Sequence, residues 1–169
     1  VGLQMLLGLG AGLLLAEEFR GRAFLRVLMV VPWAIPTVVS AITWRLIYAP
    51  DFGALNALLL QVGLISEYQS WLGNPTLALY AIGIADIWKN FPIVGLIVLA
   101  ALQSAPQDLY DAADMDGAGP FRRFATVTLP HIAGPLMVAL VLRTIDAVKV
   151  FDVIWVMTRG GPFSSTKSL

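Results

Sequence analysis

Two groups of charged side chains lie inside otherwise apolar stretches of this chain, and they are its first candidates for chemistry. Arg143, Asp146, Lys149 and Asp152 follow one another three residues apart with alternating sign, and Asp86 with Lys89 repeats the spacing once. Residues three apart on a helix are neighbours, so opposite charges can pair along one slowly winding ribbon. A lone charge at mid-membrane costs roughly 2.5 to 3.5 kcal/mol on insertion scales, so these groups should face protein or water. The ribbon can serve as a clamp between helices, as the lining of a polar cavity, or as a proton relay. An acidic dyad of Asp86 and Asp146 is the remaining enzymatic arrangement, and the cations beside both carboxylates make ion pairing their simpler use. The chain has no cysteine and one histidine, His131, which removes thiolate chemistry and argues against a histidine-based metal site.

The elements that must hold these groups follow from composition. The chain is 58% hydrophobic and 13% charged, with Lys+Arg equal to Asp+Glu at 11 each. That apolar share indicates a membrane protein in contact with lipid, and the neutral balance gives no reason to expect nucleic acid. About four apolar runs are long enough, or nearly so, to cross a bilayer, which takes about 20 residues. They cover about 1–16, 27–49, 76–102 and 132–157. The first is short and starts without methionine, so the chain is expected to begin inside a truncated helix. Pro32 and Pro36 should kink the second. The expected fold class is all-α: a polytopic transmembrane helix bundle forming one domain over 1–169. Arg20, Arg22 and Arg26 follow the first run, and Arg122 and Arg123 follow the third. The connection 50–75 has no Lys or Arg. The positive-inside rule then places 103–131 in the cytoplasm and 50–75 outside. The tail "TRGGPFSSTKSL" should be a turn-rich external loop.

The polar stretch 103–131 is unlike the runs on either side. Ser104 and Gln107 have the spacing of a reciprocal helix cap, Asp108 and Asp111 suit a helix start, and Gly117 suits its end. Gly119-Pro120 begins a second short helix, which Pro130 is expected to close, giving a helix-turn-helix. Ala112, Ala113, Gly117 and Ala118 allow close approach, while Leu109, Tyr110, Phe121 and Phe124 supply anchoring bulk. Asp111, Asp114, Arg122 and Arg123 can fix orientation around the rim. Two readings fit these residues: a segment that docks in a partner's groove, and an amphipathic connector resting on lipid headgroups.

"DAADMDGAGPFRRFATVTLP" resembles the EAA loop of the inner-membrane permease subunits of bacterial binding-protein-dependent ABC importers. Asp111, Ala112, Ala113, Gly117, Val127, Leu129 and Pro130 fall in register with that loop, with Asp111 in place of glutamate and Val127 in place of isoleucine. "VPWAIPTVVSAITWRLIY", "IWKNFP" and "VFDVIWVMTRGGPFSSTKSL" resemble the carbohydrate-uptake, maltose- and trehalose-type branch. The resemblance implies a type I importer permease in the bacterial inner membrane, a transporter subunit and not an enzyme. It implies ATPase coupling through Tyr110, Asp111, Ala112, Ala113, Asp116, Gly117, Ala118, Phe121, Leu129 and Pro130. Asp111 reaches one methylene less far than the family's glutamate, which weakens a salt bridge carried over from it. The implied partners are a second and different permease chain, two cytoplasmic ATPase subunits and an extracytoplasmic sugar-binding protein. No cofactor is expected on this chain. ATP and magnesium would belong to the ATPase, and no phosphate-cradling Gly-x-x-x-x-Gly-Lys-Ser/Thr is present here. By the same analogy Lys89, Asn90, Ile93, Arg143, Asp146, Ala147 and Val150 would line a sugar path, with Trp88, Phe91 and Phe151 offering flat apolar faces. The family continues into a further membrane helix, so this sequence is expected to be a fragment. The alternative from another class is a proton-coupled secondary transporter that uses the charged ribbon.

Overall fold

The computed structural model describes residues 1–159 and 161, and the described residues form helices and connections with no strand. Most of the "TRGGPFSSTKSL" tail, and so the external loop expected there, lies outside the described residues. The helices are α1 (Gly2–Ala16), α2 (Arg22–Ala34), α3 (Thr37–Ile47), α4 (Ala54–Gln61), α5 (Pro75–Gln103), α6 (Gln107–Met115), α7 (Pro120–Arg123), α8 (Leu129–Val148) and α9 (Asp152–Thr158). Phe124–Thr128 is a π-helical turn joining α7 to α8. Two helical stretches, Pro75–Gln103 and Pro120–Val148, are long and apolar enough to cross a membrane, and a third span results if α2 and α3 count as one bent pair. Contacts divide the chain into two compact units, one of residues 1–31 and 90–147, the other of 32–89 and 148–169.

In the first unit α1 lies against the second half of α5, and small residues set the distance. A Cβ at Gly12 would fall 2.7 Å from the Val98 side chain and 2.9 Å from the Gly95 carbonyl. Close approach through small residues is how helices gain contact where the surroundings are as apolar as their own side chains. Val94, Val98 and Ile132 are fully enclosed here, and Leu15, Met29 and Leu99 form a neighbouring cluster. Arg26 donates to the Leu15 carbonyl at 2.9 Å, and His131 Nε2 donates to the Ala101 carbonyl at 3.1 Å. The first bond satisfies a carbonyl that a helix end leaves without a partner, and the second adds to the bonds that Ser104 already makes to the Ala101 carbonyl.

In the second unit α3 packs on α9 and on the first half of α5 through Ala41, Tyr48, Ala81, Ile82, Ala85, Val153 and Met157. The Tyr48 hydroxyl donates to the Ala81 carbonyl at 3.2 Å. Asn74 starts α5: its Oδ1 accepts from the backbone N–H of Thr76 at 3.0 Å and of Leu77 at 3.2 Å, with Pro75 in the first helical position.

Three expectations need correction. Pro130 does not close a helix, because α7 runs through the π turn into α8. The Leu129 N–H reaches back to the Phe124 carbonyl, and this wider turn absorbs the bond that proline cannot make. Ser104 and Gln107 form no reciprocal cap: the Ser104 hydroxyl donates to the Ala101 carbonyl at 2.8 Å, and Gln107 Nε2 donates to Asp111 at 3.2 Å. The run 132–157 is not one helix but breaks between Val148 and Asp152. Two valines flank Lys149 there and lower helix propensity, while Asp152 favours a fresh N-terminus for α9.

Candidate functional site

The segment 104–131 is held from within. α6 ends in a glycine-capped turn, with Gly117 at φ +68°, its N–H bonded to the Asp114 carbonyl at 3.0 Å, and the Ala118 N–H bonded to the Ala113 carbonyl at 3.0 Å. Gly117 thus does what the sequence asked of it. Arg123 Nη1 spans both carboxylate oxygens of Asp114, at 3.1 and 3.2 Å, and its guanidinium stands 6.0 Å from the centre of the Tyr110 ring. The Tyr110 hydroxyl meets the Thr128 hydroxyl at 3.3 Å. These contacts link α6 to α7 and the π turn, with Tyr110 and Arg123 half-buried and the Asp114 side chain 54% exposed.

The outward side is different. Phe121 is 91% exposed and Met115 89%, and Asp111, Ala112, Asp116, Gly117, Leu129 and Pro130 are exposed as well. Ala113 and Ala118 are half-buried at the turn. Beneath the segment a cavity of about 450 Å³ is lined by Glu17, Gln107, Tyr110, Asp114, Arg123 and Thr128 among others. The arrangement is a rigid polar platform with two bulky apolar side chains projecting from it.

Two charged groups of the membrane runs, Arg143 and Lys89, are buried and hydrogen-bonded. Arg143 is 5% exposed; its Nη1 donates to Asp146 at 3.0 Å, and Nε and Nη2 both donate to Gln4 Oε1 at 3.4 Å. Asp146 keeps 63% of its side chain exposed, and Ala147 is half-buried beside it. Asn90 and Ile93 are half-buried on α5 in the same unit. In the other unit Lys89 is 8% exposed and donates to the carbonyls of Ile35 and Trp33. Those carbonyls end α2, where Pro36 has no N–H to continue the ladder. The lysine supplies donors to a helix end that would otherwise sit unsatisfied in an apolar layer. Val150 is half-buried in the break before α9. Of the charged ribbon, Arg143 and Asp146 meet as foreseen, while the break before Asp152 interrupts the helix a relay would follow.

Two residues escaped the sequence reading. Gln4 is the only polar side chain in α1 and is 1% exposed, a signal that was available in the composition of the first run. Asn56 is fully buried: its Nδ2 donates to the carbonyls of Gln69, Ala49 and Pro50, and its Oδ1 accepts from the Gln69 N–H at 3.1 Å and Trp71 Nε1 at 2.8 Å. No grouping of His, Cys, Asp and Glu able to hold a metal ion occurs among the described residues.

Residues 5–168 match the family described as binding-protein-dependent transport system inner membrane component. The trehalose/maltose transport system permease protein MalF of Thermococcus litoralis is 48% identical over 169 residues, which is 100% of this chain and 57% of that protein. The sulfoquinovosyl glycerol transport system permease protein SmoG of Agrobacterium fabrum is 38% identical over 165 residues, 98% of this chain and 53% of that one. Among solved structures, a bacterial ABC transporter involved in import of the acidic polysaccharide alginate matches with a TM-score of 0.80 at 25% identity, over 97% of this chain and 55% of that one. The chain spans little more than half the length of these relatives.

Proposed function

The chain belongs to the family of binding-protein-dependent transport system inner membrane components, and from that premise we propose that it forms half of the translocation path of an ATP-driven sugar importer. Residues 107–131 are its coupling segment, on the cytoplasmic side, seated on a partner ATPase that binds the ATP and magnesium. Sugar as cargo is supported by relatives named for trehalose/maltose and sulfoquinovosyl glycerol transport and by the alginate importer. A second, different permease chain completes the path, two ATPase subunits drive it, and an extracytoplasmic binding protein delivers the sugar. The structures of the alginate importer include one in complex with its sugar-bound periplasmic protein, which supports the last of these partners.

One observation carries the mechanism. α7, to which Asp114 of α6 is tied by Arg123, continues without a break into the helix Pro120–Val148, which holds Arg143. A displacement of Phe121 is therefore passed along a helix axis, and one of Met115 reaches it through the Arg123–Asp114 contact. When ATP closes the ATPase dimer, the platform moves, α8 moves with it, and the path alternates between inward and outward access. Ala112, Ala113, Asp116, Ala118, Leu129 and Pro130 are the contact surface in this reading, with Asp111 at its rim.

The test uses the full-length permease copurified with its co-encoded ATPase. Gly117→Trp forces a bulky side chain into a left-handed backbone position on the contact face, and Asp111→Arg reverses a rim charge. Both variants should assemble and insert yet lose most sugar-stimulated ATP hydrolysis. Unchanged stimulation in both would reject the coupling role.

A further inference from the structure

A second cavity, of about 730 Å³, lies in the unit formed by residues 32–89 and 148–169, at the ends of α3 and α9. Arg45 and Arg159 both line it, and no carboxylate is among its lining residues. Neither guanidinium has an ion pair or hydrogen-bond partner among the described residues. Two unneutralised guanidiniums around one space, with the Ser70 hydroxyl on its wall, make an anion site by their chemistry alone.

The surroundings say which anion. Arg45 lies in the last turn of α3 beside Ile42 and Leu46, which are 48% and 54% exposed and also line the cavity. On a membrane helix such exposed aliphatic side chains meet acyl chains, and an arginine among them turns its head toward the phosphate layer. The far wall is built where the chain leaves its apolar helices, at Met157 and Arg159 and in the residues that follow α3 and precede α5. Arg159 itself stands at φ 52°, in the left-handed region, inside a turn closed by the Gly161 N–H on the Thr158 carbonyl at 2.9 Å. Residues other than glycine seldom adopt that backbone, and the turn closing α9 sets Arg159 on the wall of this cavity. A charged pair that opens beside an aliphatic stripe suits a ligand with an anionic head and an apolar tail.

We infer that this cavity binds the phosphate group of an anionic membrane lipid between Arg45 and Arg159. The inference needs only that the chain lies in a membrane, and so stands apart from the transport reading.

The test places the full-length permease complex in nanodiscs of mixed phosphatidylglycerol and phosphatidylcholine, and counts lipids retained after gentle delipidation by native mass spectrometry. Wild type should keep phosphatidylglycerol over phosphatidylcholine by about tenfold, the scale of one lost charge-assisted contact. Arg159→Asn and Arg45→Gln should each abolish that preference, and Arg159→Lys should keep part of it. Asparagine tolerates the positive φ, so Arg159→Asn removes the charge without unfolding the turn. Displacement of the lipid by millimolar inorganic phosphate would keep the phosphate chemistry but assign it to a soluble anion. Equal phosphatidylglycerol retention in wild type and both charge-removing variants would overturn the inference, as would variants that change only affinity for the binding protein.

Discussion

The connections 50–74 and 104–119 each join apolar helices, and they spend their polar groups in opposite directions. The first turns inward: Asn56 is fully buried and ties together Ala49, Pro50, Gln69 and Trp71. The second keeps only enough inward contact to stay rigid, through Arg123, Asp114 and the turn at Gly117, and leaves Met115 and Phe121 about nine-tenths exposed. Both connections display unburied bulk, since Phe52 and Leu64 of the first are 69% and 73% exposed, so what separates them is the fully buried polar anchor that only the first has, at Asn56. The contrast predicts that substitutions in the first loop act on folding and those on the outward face of the second act on function.

The largest effect on stability is expected at Asn56. Asn56→Leu keeps the approximate volume but strips partners from the Trp71 indole N–H, the Gln69 N–H and the carbonyls it serves. With each stranded buried polar group costing about 1 to 3 kcal/mol, the loss should be roughly 3 kcal/mol or more. Thermal unfolding of the detergent-solubilised full-length permease should show a clearly lowered midpoint. A midpoint equal to wild type would mean the loop does not rest on this residue and would remove one side of the comparison.

Lys89 comes next, and it extends the inward case from loops to the membrane helices. Lys89→Met preserves length and apolar stem but leaves the carbonyls of Ile35 and Trp33 without their donor, a cost of about 2 kcal/mol. The folded fraction should fall while the KM for sugar in surviving transporters stays near wild type. A changed KM with normal stability would instead return Lys89 to the substrate path.

What could be read in the sequence divides along the same physical line. Features with a local cause were legible: Gly117 because a left-handed cap favours glycine, and the Arg143–Asp146 pair because residues three apart on a helix are neighbours. Of the apolar runs, 76–102 was legible by length, as α5, whereas 27–49 and 132–157 each proved to be two helices, and the family was legible in the register of the EAA-like residues. Features whose cause lies far along the chain were not. Arg143 is completed by Gln4, 139 positions away, and Lys89 by Ile35, 54 positions away, and no spacing rule links such pairs. Pro130 misled for a related reason. A proline argues for a helix end, but the π turn before it rearranges the bonding so that the helix continues, and that compensation leaves no mark in residue type.

The smallest effect on stability, and the sharpest on function, is expected at the exposed tips. In Met115→Ser with Phe121→Ser nothing buried is removed, since both side chains are about nine-tenths exposed, and the brace of Arg123 on Asp114 is left intact. Stability should stay within about 0.5 kcal/mol of wild type, as surface substitutions usually do. Burying such side chains in a partner is worth about 1.5 to 3 kcal/mol each, so the doubly substituted permease should lose ATPase from the complex or hold it without coupling. Copurification yield and sugar-stimulated ATP hydrolysis, measured beside the unfolding midpoint, separate these outcomes. A variant that unfolds earlier but couples normally would show that the tips serve the fold, and the two loops would then differ in degree and not in purpose.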